Sequence, residues 1–439
     1  MSRPALVRGI DLRGAVAINM ITMIGIGPLI TIPLVLAQLH GPLSIAGWVV
    51  GALLALCDGL VWAELGSLLP GSGGTYGFLR AAFPPEVGRA LAFLFVWEMI
   101  FAGPLLVASG YIGFAGYATF LFPTLAGSAW AVKAIAAGVG CVTLAALYRR
   151  ITSVAQFSLW LGVAAVVTLL CVTVAGYAHF SPHLAFALGQ GDSMWTGLLG
   201  GLGAALVYTM YDYVGYGQVT CVGDEVAEPR RTLPRAIIIS IFAVGALYVA
   251  MQVAILGAVH WQQLDPNFPG SQVVAAAFGH PAAVAVTLLI LLTAFASVYG
   301  NLLGFSRIPF AAARDGAFLA PFARVHPALQ IPSVSLLVVG LLAIAACAFT
   351  LDQVIAALTA GLVLVQSIAQ IAGLIVLRAR GERGGYRMPL YPLPALVAAA
   401  GWIVIFFHTG TPAIVFGLTS VGCGALVYAF VAKRGDALA

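Results

Sequence analysis

Apolar windows of about 20 residues, the length that crosses a bilayer as a helix, recur along the whole chain. Twelve can be marked, at about 14–39, 43–68, 90–120, 129–148, 152–177, 195–221, 236–259, 281–305, 333–351, 353–377, 389–408 and 411–432. Of the 439 residues, 62% are hydrophobic and only 8% charged, against roughly 25% charged in a soluble domain. The expected fold class is therefore an all-α integral membrane protein of about twelve helices, one membrane domain over 1–439 with no soluble appendage. The first window follows Arg3, Arg8 and Arg13 but is too long for a cleaved signal and lacks a small-residue cleavage site, so it is expected to stay as a span.

The charges set the orientation. Twelve spans with a cytoplasmic N-terminus put the basic residues from Arg3 to Arg434 in the inner loops, and of the 20 lysines and arginines leave only Lys133 outside. The expectation is a multi-pass protein of the plasma or inner membrane with both termini cytoplasmic. The net charge of +5 then reflects topology, and no nucleic-acid partner is implied.

Within the first window, Met23 to Ile30 reads MIGIGPLI. Glycine costs roughly 1 kcal/mol and an interior proline about 3 kcal/mol of helix propensity, so Gly25, Gly27 and Pro28 predict an opened backbone. Such a backbone must line a protein-enclosed cavity, because unpaired peptide groups cannot face lipid. With Pro28 starting a second half-helix, the amides of Leu29 and Ile30 are expected to be free, a receptor for a carboxylate at the positive helix end. A plain proline kink filled by neighbouring helices is the other reading. The sixth window repeats the break: YDYVGYG places Gly215 and Gly217 just after Asp212. Two glycine-interrupted spans five apart predict inverted five-helix repeats, at 14–177 and 195–377, followed by two further helices at 389–432, with the binding site at the repeat interface.

Three blocks carry a family resemblance: AELGSLLPGSGGTYGFLRAAF from Ala63, GDEVAEPRRTLPRAI from Gly223, and SRIPFAAARDGAFLAPFARVHPALQIPSVS from Ser306. With the first break they make the chain resemble the amino acid–polyamine–organocation permeases over about residues 14 to 380. The resemblance implies discontinuous first and sixth helices in a five-plus-five inverted repeat, and secondary transport by alternating access. The first break departs from the commonest family pattern, Gly-Ser/Ala-Gly-Ile/Leu-Phe: Ile26 stands at the small position, and Pro28 and Leu29 replace the last two residues. Some members use a fifth-helix lysine as a coupling cation; Ile151 to Tyr177 contains neither lysine nor arginine, so coupling by a proton is expected to use a carboxylate.

The expected substrate-binding residues are Thr22, Gly25, Ile26, Gly27, Leu29, Tyr208, Asp212, Gly215, Tyr216 and Tyr299, with Asp212, Glu98 and Tyr76 in coupling or gating. Asp212 has three readings: partner of a substrate ammonium, carrier of the coupling proton, or cap of the unwound backbone. Glu98 either joins the site or pairs with Arg89 or Arg307. Tyr76 caps the inner path or belongs to an ordinary loop turn. Asp58 has no assignable role, and Glu64 is structural or gate-forming. Glu225 and Glu228 with Arg230, Arg231, Arg307 and Arg314 are either inner-gate ion pairs or solvated loop charges.

The substrate expected is an amino acid or, alternatively, a polyamine or other organic cation, with the proton as coupling ion and no cofactor or metal. An enzyme is not expected. Of 7 histidines only His408 lies well inside a span, there is no HExxH, and no serine or cysteine has an evident partner.

Overall fold

The computed structural model describes residues 8–149, 154–187 and 194–435; Arg3 and Arg150, counted above among inner-loop charges, lie outside them. The order of helices is α1 Leu12–Met23, α2 Gly27–Leu39, α3 Leu43–Leu68, α4 Gly74–Ala82, α5 Pro85–Leu121, α6 Ala129–Leu147, α7 Val154–Ala178, α8 Pro182–Phe186, α9 Met194–Tyr213, α10 Pro229–Ala258, α11 Pro269–Phe278, α12 His280–Arg314, α13 Ser333–Ala346, α14 Leu351–Leu362, α15 Gln370–Ala379, α16 Leu393–His408 and α17 Thr411–Gly435. A π-helical segment, Val363–Ala369, joins α14 to α15. Among the described residues there is no strand, only a parallel bridge between Ile10 and Val226.

Seven helices among the described residues are long and apolar enough to cross a membrane, and α1 with α2, bent by 52° at their junction, counts as an eighth if the pair is one span. Their starts follow local chemistry. The Asp11 carboxylate accepts from the Gly14 amide at 2.8 Å and caps α1. Prolines open α5 and α10 in the first turn, where no N–H is needed. Thr350 and Gln353 form a capping box that starts α14.

Small residues set the helix spacing, as expected where lipid offers no hydrophobic drive for association. Gly176 on α7 meets the backbone of Ala254 on α10, where a Cβ would stand 2.6 Å from the carbonyl oxygen. The ends of α3 and α15 are joined by a charge pair instead. Arg378 donates through Nε and Nη2 to Glu64 at 2.7 and 2.5 Å, the Met388 amide donates to the same carboxylate at 2.8 Å, and the guanidinium lies 3.8 Å over the Tyr391 ring. Glu64, read as structural or gate-forming, thus braces α3 to α15 and the segment after it. Of the proposed inner-gate pairs, Arg231 and Glu228 approach at 3.8 Å on an exposed turn.

Candidate functional site: two helix breaks and a buried carboxylate

The first break spans Ile24 to Ile26. The Ile24 amide closes α1 on the Met20 carbonyl at 2.7 Å while its own backbone turns extended, and α2 restarts at Gly27 with Pro28 in its first turn. The free amide expected at Leu29 is not there, because the chain tightens and Leu29 donates to the Ile26 carbonyl at 3.0 Å. Instead, the amides of Gly25, Ile26 and Gly27 have no acceptor among the described residues. The neighbouring carbonyls are taken: Tyr248 donates to Met23 at 2.7 Å and Tyr117 to Leu29 at 3.1 Å.

The second break follows α9. Val214 to Gly217 forms a turn, with Gly215 at a φ of +131° that disfavours a side chain, and a 3₁₀ segment, Gln218–Glu225, continues the chain. The two breaks touch: a Cβ on Gly215 would lie 3.1 Å from the Thr22 methyl and 3.2 Å from the Met23 nitrogen. Asn19 on α1 accepts from the Val219 amide at 2.9 Å, and Ile10 exchanges backbone bonds with Glu225 and Ala227 at 3.0 and 2.9 Å. The half-helix before one break is therefore laced to the segment after the other.

Asp212, in the last turn of α9, reaches across both. It is 3% exposed. Its Oδ2 accepts from the Thr31 hydroxyl, whereas its Oδ1 is buried without any hydrogen-bond partner. Oδ1 lies over Gly27, so closely that a Cβ there would collide with it. Residues 27 and 31 share one helix face, so the carboxylate lies along the first turn of α2. Thr31 was not among the expected site residues, although that four-residue spacing was there to find it. Tyr211 also faces Gly27, and its hydroxyl shares a 2.7 Å hydrogen bond with Ser109 of α5. On the other side of the break, the Ser297 hydroxyl of α12 lies 3.0 Å from where a Gly25 Cβ would be.

Charge decides what this arrangement can hold. The ion pairs among the described residues are Arg231 with Glu228 and Arg378 with Glu64, neither at the breaks. A second carboxylate about 4 Å from an ionised Asp212 meets a repulsion of about 4 kcal/mol at an effective dielectric constant of ~20. A helix N-terminus returns only about 0.3–2 kcal/mol. Repulsion wins, and an ammonium in the same place is attracted by the charge at Oδ1 more strongly than the helix end repels it. No group of histidine, cysteine, aspartate or glutamate among the described residues is arranged to hold a metal ion.

The remaining expected residues divide. Thr22, Gly25, Ile26, Gly27, Asp212 and Gly215 come together at the paired breaks. Tyr216 turns away to Asp58: its hydroxyl donates to Oδ2 at 2.6 Å, joined by Trp62 at 3.1 Å, while Trp402 donates to Oδ1 at 3.1 Å. Tyr208 donates to Asp352 at the start of α14. Tyr299 packs in the cluster around Val107 and Leu336, and it is Ser297 that faces the break from α12. Glu98 is buried against the backbone of Val365 and Gln366 in the π-helical segment. Neither expected arginine reaches it: Arg89 donates to Pro85 and Arg307 to Leu303, each in its own helix. The Tyr76 hydroxyl accepts from Arg80 at 3.1 Å, one turn along α4.

Comparison with known proteins places these features in a family. A profile described as amino acid permease matches residues 10–431. A serine/threonine exchanger of Bacillus subtilis (strain 168) is 25% identical over 95% of this chain and 93% of its own length. The vacuolar cationic amino acid transporter 4 of Arabidopsis thaliana is 30% identical over 77% of this chain, which covers 57% of that longer protein. A methylthioribose transporter of Bacillus subtilis (strain 168) is 24% identical over 95% of this chain and 91% of its own length. With a match running through both breaks and nearly the full length, the chain belongs to the amino acid permease family.

Proposed function

We propose that this permease carries an amino acid across the membrane as a secondary transporter, by alternating access around the paired breaks. The single observation that carries the site assignment is the Oδ1 of Asp212, buried and unpartnered beside the opened end of α2. In this reading the substrate ammonium binds Oδ1, and its carboxylate reaches the amides of Gly25 and Ile26 across the gap. Thr22, Gly215 and Tyr211 line the space around it. The named activities of the serine/threonine and cationic amino acid relatives support an amino acid as cargo.

The architecture proposed is twelve spans: inverted repeats at 14–177 and 195–377 with two helices at 389–432, both termini cytoplasmic, in the plasma or inner membrane. The broken α1–α2 pair and the interrupted segment after α9 support the pairing of repeats. Coupling is to a proton carried by a buried carboxylate, Asp212 or Glu98. The test is uptake of radiolabelled amino acids by proteoliposomes, with and without an imposed proton gradient. Accumulation of an amino acid above its outside concentration only with the gradient is expected. Uptake that only equilibrates, to the same level with the gradient as without it, removes the proton, and no amino acid entering under either condition removes the cargo assignment.

A polyamine or other organic cation is the second reading. It is favoured by two buried acids, Asp212 and Glu98, that no described cation neutralises. Uptake of a labelled amino acid in competition with putrescine separates the two.

A further inference from the structure

At the ends that the proposed topology puts outside, α5 and α6 enclose with the connection from α13 to α14 a cavity of about 300 Å³ that shares no residue with the paired breaks. Its wall is apolar along Ile112 of α5 and Val132 and Ala136 of α6, and Thr119, Ala136 and Cys347 in its lining are buried. Ala126, Ala129 and Phe349 form an exposed rim. The polar groups of the lining are engaged within the protein. Thr119 donates to the Gly116 carbonyl at 2.6 Å, Asn267 donates through its backbone and side chain to Asp265 at 2.9 and 3.1 Å, and Thr350 belongs to the capping box of α14.

One charge remains. Lys133 is the charged residue of a lining that holds no carboxylate. Its ammonium has three N–H groups; one goes to the Ala348 carbonyl at 2.7 Å, and neither ion pair among the described residues includes it. It also lies 6.0 Å from the ring of Trp130, which is 83% exposed in the first turn of α6. An uncovered indole at the end of an apolar helix marks the headgroup level of a bilayer. The ammonium therefore stands where phosphates lie, beside an apolar space that an acyl chain can fill.

We propose that this cavity binds an anionic phospholipid, with the phosphate on Lys133 and an acyl chain against Ile112, Val132 and Ala136. Charge and wall together select this occupant. A soluble polar solute would leave its own polar groups unpaired against the alkyl wall, and a zwitterionic lipid brings a cation toward the ammonium. The inference rests on the membrane placement proposed above and holds for any cargo. Bound there, the lipid ties the start of α6 to the connection before α14.

Full-length protein in phosphatidylcholine nanodiscs tests this with two trace probes, phosphatidylglycerol and phosphatidylcholine, each carrying a diazirine on one acyl chain. After irradiation, adducts are mapped by mass spectrometry, with the exposed Leu418 and Leu426 of α17 as the reference for bulk lipid. Relative to that reference, phosphatidylglycerol should label Ile112, Thr119 and Ala136 ~5-fold more than phosphatidylcholine does, the gain expected from one lysine at a charged headgroup. Lys133→Gln should abolish the preference and Lys133→Arg should keep it, which separates the charge from a folding defect. Ala129→Trp, at the exposed rim, should block cavity labelling by both lipids while α17 labels as before. Glycerol phosphate, a headgroup without a chain, should not displace the label at equal concentration; displacement would make this a site for free anions and overturns the inference. So does a preference that survives Lys133→Gln, or cavity labelling that is equal for the two lipids or persists in Ala129→Trp. No label in the cavity while α17 is labelled also overturns it, and each of these results leaves the permease reading standing. Absence of label on α17 as well removes the membrane placement, and the inference with it.

Discussion

Asp58 and Asp212 are both carboxylates on apolar helices, each 3% exposed, and they are treated in opposite ways. Asp58 receives two indole N–H groups and a phenol, from α3, from the turn after α9 and from α16. Asp212 receives one hydroxyl and keeps one oxygen bare. A buried carboxylate with a complete donor set is a brace whose removal strands its donors. One with a vacant oxygen has been positioned at a standing cost in desolvation, which a ligand's charge can offset.

The largest expected effect breaks the brace. Asp58→Ala leaves Trp62, Trp402 and Tyr216 without their acceptor, and since a stranded buried donor costs roughly 1–3 kcal/mol, about 3–5 kcal/mol of stability should be lost. A melting temperature in detergent near that of wild type would mean the donors find other partners and the contrast is false. Asp212→Asn comes next. It should lower substrate uptake by ~100-fold, equivalent to about 2.7 kcal/mol, with little change in melting temperature. Destabilisation matching Asp58→Ala would make Asp212 a second brace.

Gly27→Ala sharpens the comparison from the backbone side. The added methyl collides with Oδ1 of Asp212, so the carboxylate must rotate off the first turn of α2. Substrate affinity, read by competition binding, should fall ~10-fold, about 1.4 kcal/mol; unchanged affinity would place the ligand elsewhere. Ser109→Ala should do least. It removes one hydrogen bond from Tyr211, worth about 0.5–1.5 kcal/mol, and a drop in affinity as large as that of Gly27→Ala would show that Tyr211 holds the ligand directly.

The breaks were legible in the sequence because their cause is local: Gly25, Gly27 and Pro28 in one turn, and Gly215 and Gly217 just after an acid. Asp212 was legible for the same reason, as a charge in an apolar run. The role of Asp58 was not, since two of its three donors, Tyr216 and Trp402, stand 158 and 344 residues away and are brought to it only by tertiary packing. The position of Tyr299 is a matter of register. It is two residues from Ser297, about 200° around α12, and periodicity alone does not say which face meets the break. Leu29 failed by a single backbone bond, the 3₁₀-type closure onto Ile26, which no pattern of side chains announces.

The central claim is that the bare oxygen of Asp212 holds the cargo. Counterflow measures this most directly, because exchange of labelled for unlabelled amino acid across a proteoliposome needs binding and alternating access but no driving ion. Wild type, and an Asp58→Asn protein that remains folded, should exchange label, while Asp212→Asn should not. Counterflow through Asp212→Asn at the wild-type rate would contradict the account.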